Sequence, residues 1–480
     1  MSDKDPKDPS TTSHAYDAML PRWEMISNLL AGTEAMRAAG ERYLPRHMEE
    51  SDLGYDERLN TAVLLNMTEL TLDALVGRPF REPIKIGDDV PEKIVDLMGD
   101  IDLQGNKLDV FAFDWFRDGV AKGFNHILVD FPRVQNEGNR TLADDRVDNL
   151  RPYWVHVPPE NVIFSASTRV NGVEVLTHVR IREKVTVQVG FAEVEIDQIR
   201  VLEPGVVFIY QKTRPRGQKE EWRVVDAYET SLDFIPLVTF YADREELMFA
   251  KPPLLDLATL NVRWWQSNSD QQSVLTVARF PIFAASGVEQ DTGIIRIGPR
   301  QVISTEDPAA KYYYVEHSGR AIESGRFELS DLEDRMSNYG AQMLRRKPGN
   351  STATARSIDS AESISQLQRM TCTFIDAMKT ALDYTAAWMG LADGGTVDMN
   401  RDFSGLNDKD PTELDVLFKT RQLRDMSREA YLEEMKRRGI VDEAYDIEAD
   451  AVLLQEELAE LDAMSDPEEG DTPSEDARQA

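Results

Sequence analysis

The sequence is poor in the residues that usually announce chemistry. Its 480 residues include one cysteine and six histidines. A lone thiol excludes an intrachain disulfide and fits a reducing compartment. Cys372 lies on an apolar-rich helical stretch with no histidine close in sequence, so a buried structural thiol is expected there. His14, His47, His126, His156, His178 and His317 are too scattered for a metal-ligand pattern. G-x-x-x-x-G-K-[ST], H-E-x-x-H, C-x-x-C and G-x-S-x-G are all missing. Asp398, Asn400 and Asp402 imitate the start of a calcium loop, but Phe403 stands where glycine is needed and Lys409 where glutamate is needed. Calcium is therefore rejected. No reaction is named by any of this, and the expectation is a non-enzymatic chain with no cofactor and no metal.

Basic charge is scarce as well. With 54 Lys+Arg against 86 Asp+Glu the formal charge is −32, which argues against a general nucleic-acid binder. There is no run of 18 apolar residues, so no membrane-spanning helix is expected. The polar stretch 1–17 lacks the apolar core of a signal peptide and is expected to be disordered, as is the acidic 465–480. What the chain does have is 41% hydrophobic residues and enough length for roughly two to four domains.

Taken in order, Met19–Ala39 reads as a helix with a stripe of Trp23, Ile26, Leu29 and Leu30. A second helix is expected over Tyr55–Val76, with Leu59, Val63, Leu70 and Leu75 available for packing. A third covers Lys107–Lys122 with Phe111, Trp115 and Phe116, and gives way to a strand at Ile127–Phe131. Gly119 and Gly123 form a G-x-x-x-G that, outside a membrane segment, reads as helix packing. From Arg151 to Tyr241 the texture turns β-branched and aromatic, with Tyr153–Val157, Val173–Ile181, Val185–Phe191 and Val206–Gln211 as strands. Val185, Val187 and Val189 alternate with Thr186 and Gln188 as a half-buried strand would. After Pro252-Pro253 comes a helix over Leu254–Ser273, whose face carries Leu254, Leu257, Asn261, Trp264 and Trp265. Three strand-like runs follow: Val274–Ala285, Ile294–Ile297 and Tyr312–Val315.

The stretch from Ser330 to Met389 organises the rest. Ser330 and Glu333 spell an S-x-x-E capping box, which predicts a helix start near Asp331. Leu332, Met336, Tyr339 and Met343 then share one face. Arg345-Arg346-Lys347 ends that helix, Pro348-Gly349 stops it, and the small polar Asn350, Ser351 and Thr352 lead toward Arg356. A long helix follows, carrying Leu367, Phe374, Met378 and Leu382. Cations at a helix C-terminus complement its dipole, at roughly 0.3–1 kcal/mol each. Their functional reading is that the basic cluster, with Arg356, meets phosphates at an exposed tip. Beyond Met389, Thr412 and Asp415 open a helix, another covers about 442–461, and the bias is acidic.

Order and texture together resemble the portal proteins of tailed bacteriophages. The resemblance rests on WEMISNLLAGTEAMRAAGERYL at Trp23–Leu44, RPYWVHVPPENV at Arg151–Val162, PPLLDLATLNVRWWQSNSDQQS at Pro252–Ser273 and KPGNSTATARS at Lys347–Ser357. It implies an α+β subunit of a ring of about twelve copies at one capsid vertex. Double-stranded DNA would pass through the channel at packaging and ejection. It further implies a wing at 18–250, a first stem helix at 251–273, a clip at 274–318 and a second stem helix at 319–344. A tunnel loop at 345–356 would place Arg345, Arg346, Lys347, Asn350, Ser351, Thr352 and Arg356 toward DNA. A long wing helix with a return strand at 357–410 and a crown at 411–464 would complete the subunit. The implied partners are further copies of the chain, the large terminase subunit, a head-to-tail connector or adaptor, and the major capsid and scaffolding proteins, with no membrane. The implied location is the virion, with the host cytoplasm during assembly. Two other readings share the acidic charge: a non-conducting capsid scaffold or adaptor, and a nuclease-like hydrolase with a carboxylate-bound metal.

Overall fold

The computed structural model describes residues 7–133, 148–213, 220–279, 282–286, 309, 311–315, 319–344, 365–401, 403, 411–437, 440–441 and 445–465. The chain opens with helices α1 (His14–Leu30), α2 (Gly32–Ala39), α3 (Asp52–Thr61) and α4 (Met67–Val76), then β1 (Lys85–Ile86), α5 (Glu92–Val95), α6 (Leu108–Lys122) and β2 (Phe124–Asp130). Strands β3 (Tyr153–Val157), β4 (Val162–Val170), β5 (Val173–Val189), β6 (Ala192–Glu203), β7 (Val206–Thr213) and β8 (Glu221–Glu229) follow. After β9 (Leu237–Tyr241), β10 (Arg244–Glu246) and β11 (Phe249–Ala250) come α7 (Leu255–Ala278), β12 (Ile282–Ser286), β13 (Lys311–Val315), α8 (Arg320–Leu344), α9 (Gln366–Trp388) and β14 (Val397–Asp398). Helices α10 (Pro411–Gln422), α11 (Arg428–Arg437) and α12 (Ile447–Ser465) close the chain. Two compact units result, 1–401 and 402–480, the second holding α10–α12. The architecture is mixed α+β, as expected.

The centre of the first unit is an antiparallel three-stranded sheet, β3-β2-β9, with α6 and α9 against it. Every residue of β2 from Phe124 to Val129 is buried, as befits a strand covered on both faces. Trp115 and Phe116 of α6, Phe240 of β9 and Phe374 of α9 meet there, with centroids 4.8 to 6.4 Å apart. Gly119 permits this approach: a Cβ on it would come within 2.4 Å of Phe240 Cδ1. The G-x-x-x-G is thus a helix-to-sheet contact. Gly123, at φ +94°, turns the chain out of α6.

A second sheet, β4-β5-β6-β7-β8, is a meander of antiparallel neighbours. Asn171-Gly172, both at positive φ, close β4–β5 as an Asn-Gly hairpin turn. Its buried side chains include Ile163, Val179, Ile181, Ile199 and Leu202, and α1 adds Tyr16, Met19 and Trp23 to the same core. Deep within the body, Lys122 bonds Asp118 and Glu160, both at 2.9 Å. Burial alone would lower its pKa, but the two carboxylates raise it overall. His126 is fully buried with Nδ1 2.9 Å from Thr239 Oγ1, and desolvation pushes its pKa down to about 3.

Several expectations are corrected. The stretch 7–17 is placed rather than disordered: Ser13 N–H donates to Ile163 O at 2.9 Å, its hydroxyl caps α1, and Arg180 donates to Pro9 O. The single helix expected over Met19–Ala39 is two, parted at Gly32 (φ +81°). That expected over Tyr55–Val76 is also two, broken across 62–66, and it leaves Val63 and Leu70 exposed. Val274–Ala278 is the end of α7 and not a strand. Cys372 is half-buried on the edge of the α9 face. The strand expected at Ile294–Ile297 and most of 465–480 lie outside the described residues.

Candidate functional site

Helices α7 and α8 form an antiparallel hairpin whose register can be followed contact by contact. Tyr339 Oη donates to Pro253 O at 3.2 Å, Trp264 Nε1 to Glu333 Oε1 at 3.0 Å, Ser267 Oγ to Glu328 Oε1 at 3.1 Å and Gln271 Nε2 to Ile322 O at 2.9 Å. The same register continues past the helices into the β12–β13 pair, where Ile282 lies opposite Val315 and Ser286 opposite Lys311. Gly325 faces the end of the Gln271 side chain: a Cβ there would sit 2.1 Å from Gln271 Oε1 and would displace that amide.

These contacts explain why α8 begins at Arg320, before the expected start near Asp331. Glu333 does not cap a terminus. It accepts the indole N–H of Trp264 in mid-helix, while Leu332 and Met336 bury against the partner helices. Helix propensity over 320–330 suffices once α7 supplies a surface to pack on. Tyr339 is half-buried on the same face, as its spacing predicts; the Met343 side chain lies outside the described residues.

The root of the hairpin is fixed by buried amides. Asn261, fully buried, accepts from Thr68 N–H and Thr68 Oγ1, both at 3.0 Å, and donates to Leu65 O at 2.8 Å. Asn268 donates to Val63 O and Gln266 to Tyr43 O. Across 62–66, Asn268 and Asn261 take the Val63 and Leu65 carbonyls, Arg37 takes the Ala62 carbonyl, Thr33 Oγ1 accepts the Leu64 N–H, and Asn66 caps α4, which is why the helix expected over 55–76 breaks there. On the flank, Arg58 grips Glu50 through two N–H···O bonds of 2.8 Å and reaches Asp270 of α7 at 3.5 Å; His47 touches the same Asp270 at 3.1 Å. Hydrogen bonding from Arg58 holds the Glu50 carboxyl down to about 2. These groups line a cavity of about 710 Å³ between α3 and α7.

The two ends of the segment 345–364 return to one part of the chain. Before it, Tyr339 bonds Pro253 O and approaches Asp256, which pairs with Lys251 at 2.9 Å. After it, Ser365 caps α9, Arg369 pairs with Asp243 at 2.9 Å and Thr373 donates to Tyr241 O. Leu367, Phe374, Met378 and Leu382 bury the inner face of α9, as their spacing predicts. Arg345, Arg346, Lys347, Asn350, Ser351, Thr352 and Arg356 themselves lie outside the described residues, so their anchors alone are seen. Among the described residues, no group of three or more His, Cys, Asp or Glu is placed to hold a metal ion, and no helix is long and apolar enough to cross a membrane. Sequence reading missed the role of Asn261 as a backbone anchor. The signal was present in an Asn standing on an otherwise apolar helical face.

A family profile described as "Domain of unknown function (DUF4055)" matches residues 253–389, from the root of α7 to the end of α9. No curated protein matches the chain. Among solved structures, it is similar to a chain in the neck of an empty gene transfer agent particle computed with C6 symmetry: TM-score 0.38, 9% identity, 81% of this chain and 89% of that one. It is similar also to a chain of the virion of a native gene transfer agent particle, with TM-score 0.37, 10% identity and the same coverage. A third such chain, from the neck of the native particle computed with C12 symmetry, gives TM-score 0.37 and 8% identity over 75% of this chain and 86% of that one.

Proposed function

We propose that this chain is a portal-type subunit, which assembles into a closed ring at a capsid vertex and conducts double-stranded DNA. One observation carries the reading: a long helical hairpin, α7 with α8, stays in register into a paired-strand end and leads, at its root, into a basic segment pinned at both ends. In a ring, α7 and α8 would form the stem, the β12–β13 end would offer the docking surface for the packaging motor and later the connector proteins, and 345–356 would line the channel. The net charge of −32 per subunit suits a conduit. Each phosphate neutralised by a protein cation adds affinity, so a channel with few basic tips lets DNA slide.

The decisive experiment is native mass spectrometry of the purified full-length protein, paired with negative-stain images. A closed ring of about twelve copies with an open centre wide enough for a duplex is expected. A stable monomer that forms no ring with its capsid partners present would overturn the reading. Changing Arg345, Arg346 and Lys347 together to Ala is expected to leave the ring intact and to impair DNA packaging. Loss of assembly in that variant would assign the cluster a structural role instead.

A further inference from the structure

In the centre of the first unit, two neighbours of one histidine require opposite protonation states of it. His156 of β3 lies opposite Ile127 of β2, which puts its ring on the same face of the sheet as Asn125, the face that α6 covers. The ring meets the side chain of Asn125 and that of Asp118 on α6, and both contacts fall on one atom, Nε2.

Asn125 is fully buried, and the rest of its amide is committed. Its Oδ1 accepts the N–H of His126 at 2.7 Å, and its Nδ2 reaches Trp115 O at 3.4 Å. Turned over, the amide would set N–H against N–H and oxygen against oxygen, so the network fixes its orientation. Asn125 Nδ2 therefore donates to His156 Nε2. That bond needs Nε2 without a proton, which assigns a neutral His156 carrying its hydrogen on Nδ1. On the other side, Nε2 lies 3.6 Å from Asp118 Oδ2. Lys122 takes Asp118 Oδ1 at 2.9 Å, whereas Oδ2 is buried and has no donor among the described residues. A proton added to Nε2 would break the first contact and make the second.

The surroundings set the balance between the two. The charged groups facing the ring are Asp114, Asp118 and Lys122 of α6 and Glu160 in the turn before β4, with His126 of β2 close by. Phe111 of α6 stands edge-on to it at 6.5 Å. Burial disfavours the imidazolium most strongly, Asp118 favours it and Lys122 opposes it, and the pKa moves down overall. The side chain is still 31% exposed, so protons reach it from solvent.

We propose that His156 is an acid switch in the α6–β2–β3 core: neutral, it accepts from Asn125; protonated, it releases Asn125 and donates to Asp118. The switch needs no ring and does not depend on the portal reading. In its acid state Asn125 keeps only the long bond to Trp115 O, and a buried amide short of a partner loosens the strand and the helix that it joins. A histidine held neutral in the native chain contributes stability that is complete above its ordinary 6.5 and is lost as pH falls through the folded value.

The test is solid-state nitrogen spectroscopy of the full-length chain labelled at histidine, with His156→Gln to assign the signal. The native ring is expected at neutral pH as the tautomer bare at Nε2, titrating below 6.5. Asn125→Ala removes the group that grips the neutral ring, so its midpoint should rise. Asp118→Asn removes the acceptor that awaits the charged one, so its midpoint should fall. Each change is expected to alter the proton affinity about tenfold. A histidine with a merely structural role would not move in opposite directions in the two variants. Any other pattern overturns the switch, and so does a native ring protonated at Nε2 at neutral pH, a result that requires no variant to fold.

Discussion

The molecule extends two hairpins, one of helices and one of strands, and they are held in opposite ways. The α7–α8 hairpin is rooted by polar side chains: Asn261 and Asn268 occupy backbone groups of 62–66, and Trp264 ties to Glu333. Its inner apolar residues Leu257, Trp264, Trp265, Leu332 and Met336 are covered, although Phe327 of α8 is exposed. The β5–β6 finger is rooted by an ion-paired belt at Arg200, and its apolar residues toward the tip, Val187, Val189, Phe191 and Val194, are exposed. Burial of an apolar face is thus decided by what lies over it and not by its periodicity. The first hairpin has the chain's own helices as cover; the tip of the second has none among the described residues.

The contrast can be broken most forcefully at Trp264. It is 7% exposed and makes a hydrogen bond, so Trp264→Ala is expected to cost about 3 kcal/mol through cavity and lost contact. A denaturation midpoint unchanged at fixed protein concentration would mean the two helices do not depend on it. Asn261→Ala comes next, at about 2 kcal/mol, because the Thr68 N–H and Leu65 carbonyl are left without their partner inside the protein. Amide exchange at Thr68 should rise in that variant.

These residues also show what the sequence could and could not convey. The inner faces of α8 and α9 were legible because a helical period is a local property: Leu332 with Met336, and Leu367 with Phe374 and Met378, point where their spacing says. The break between α3 and α4 was legible at one end only: Asn66 and Glu69 are a local capping pair for α4, whereas the side chains that hold the Val63 and Leu65 carbonyls belong to α7, about 200 positions away in the chain. The early start of α8 has the same origin, a tertiary surface overriding a local capping signal. For the basic cluster at 345–347 the sequence offered a candidate and the structure adds its anchors at Tyr339 and Arg369. The finger illustrates a third case. Alternation correctly made one face of Val185–Val189 apolar, yet no local pattern says whether anything covers it.

A smaller effect tests the flank of the helical hairpin. Glu50 is held near 2, below its ordinary 4.5, mainly by the Arg58 hydrogen bonds. A carboxyl depressed on folding contributes stability that is complete above its unfolded pKa and is lost as pH falls through the folded one. Acid loss of stability between about pH 4.5 and 2 should therefore be shallower in Glu50→Gln than in the native chain. Parallel curves over that window would show that the Arg58–Glu50 pair adds nothing to folding stability.

The smallest expected effect is the most pointed, because it compares two positions on one face of one strand. Ile181 and Val189 both lie on the apolar side of β5, but Ile181 is 2% exposed and Val189 61%. Thr keeps the β-branch and strand preference, so Ile181→Thr and Val189→Thr differ chiefly in what surrounds the new hydroxyl. Inside the belt the hydroxyl enters a core with no partner supplied, at a cost of about 2 kcal/mol. Outside it, water is the partner, and the folding stability of the subunit should change by no more than about 0.5 kcal/mol. If Val189→Thr leaves folding untouched and yet weakens assembly, the bare face is a surface kept for another copy. If it destabilises the isolated subunit as much as Ile181→Thr does, the finger folds back onto its own chain, and the contrast between the two hairpins disappears.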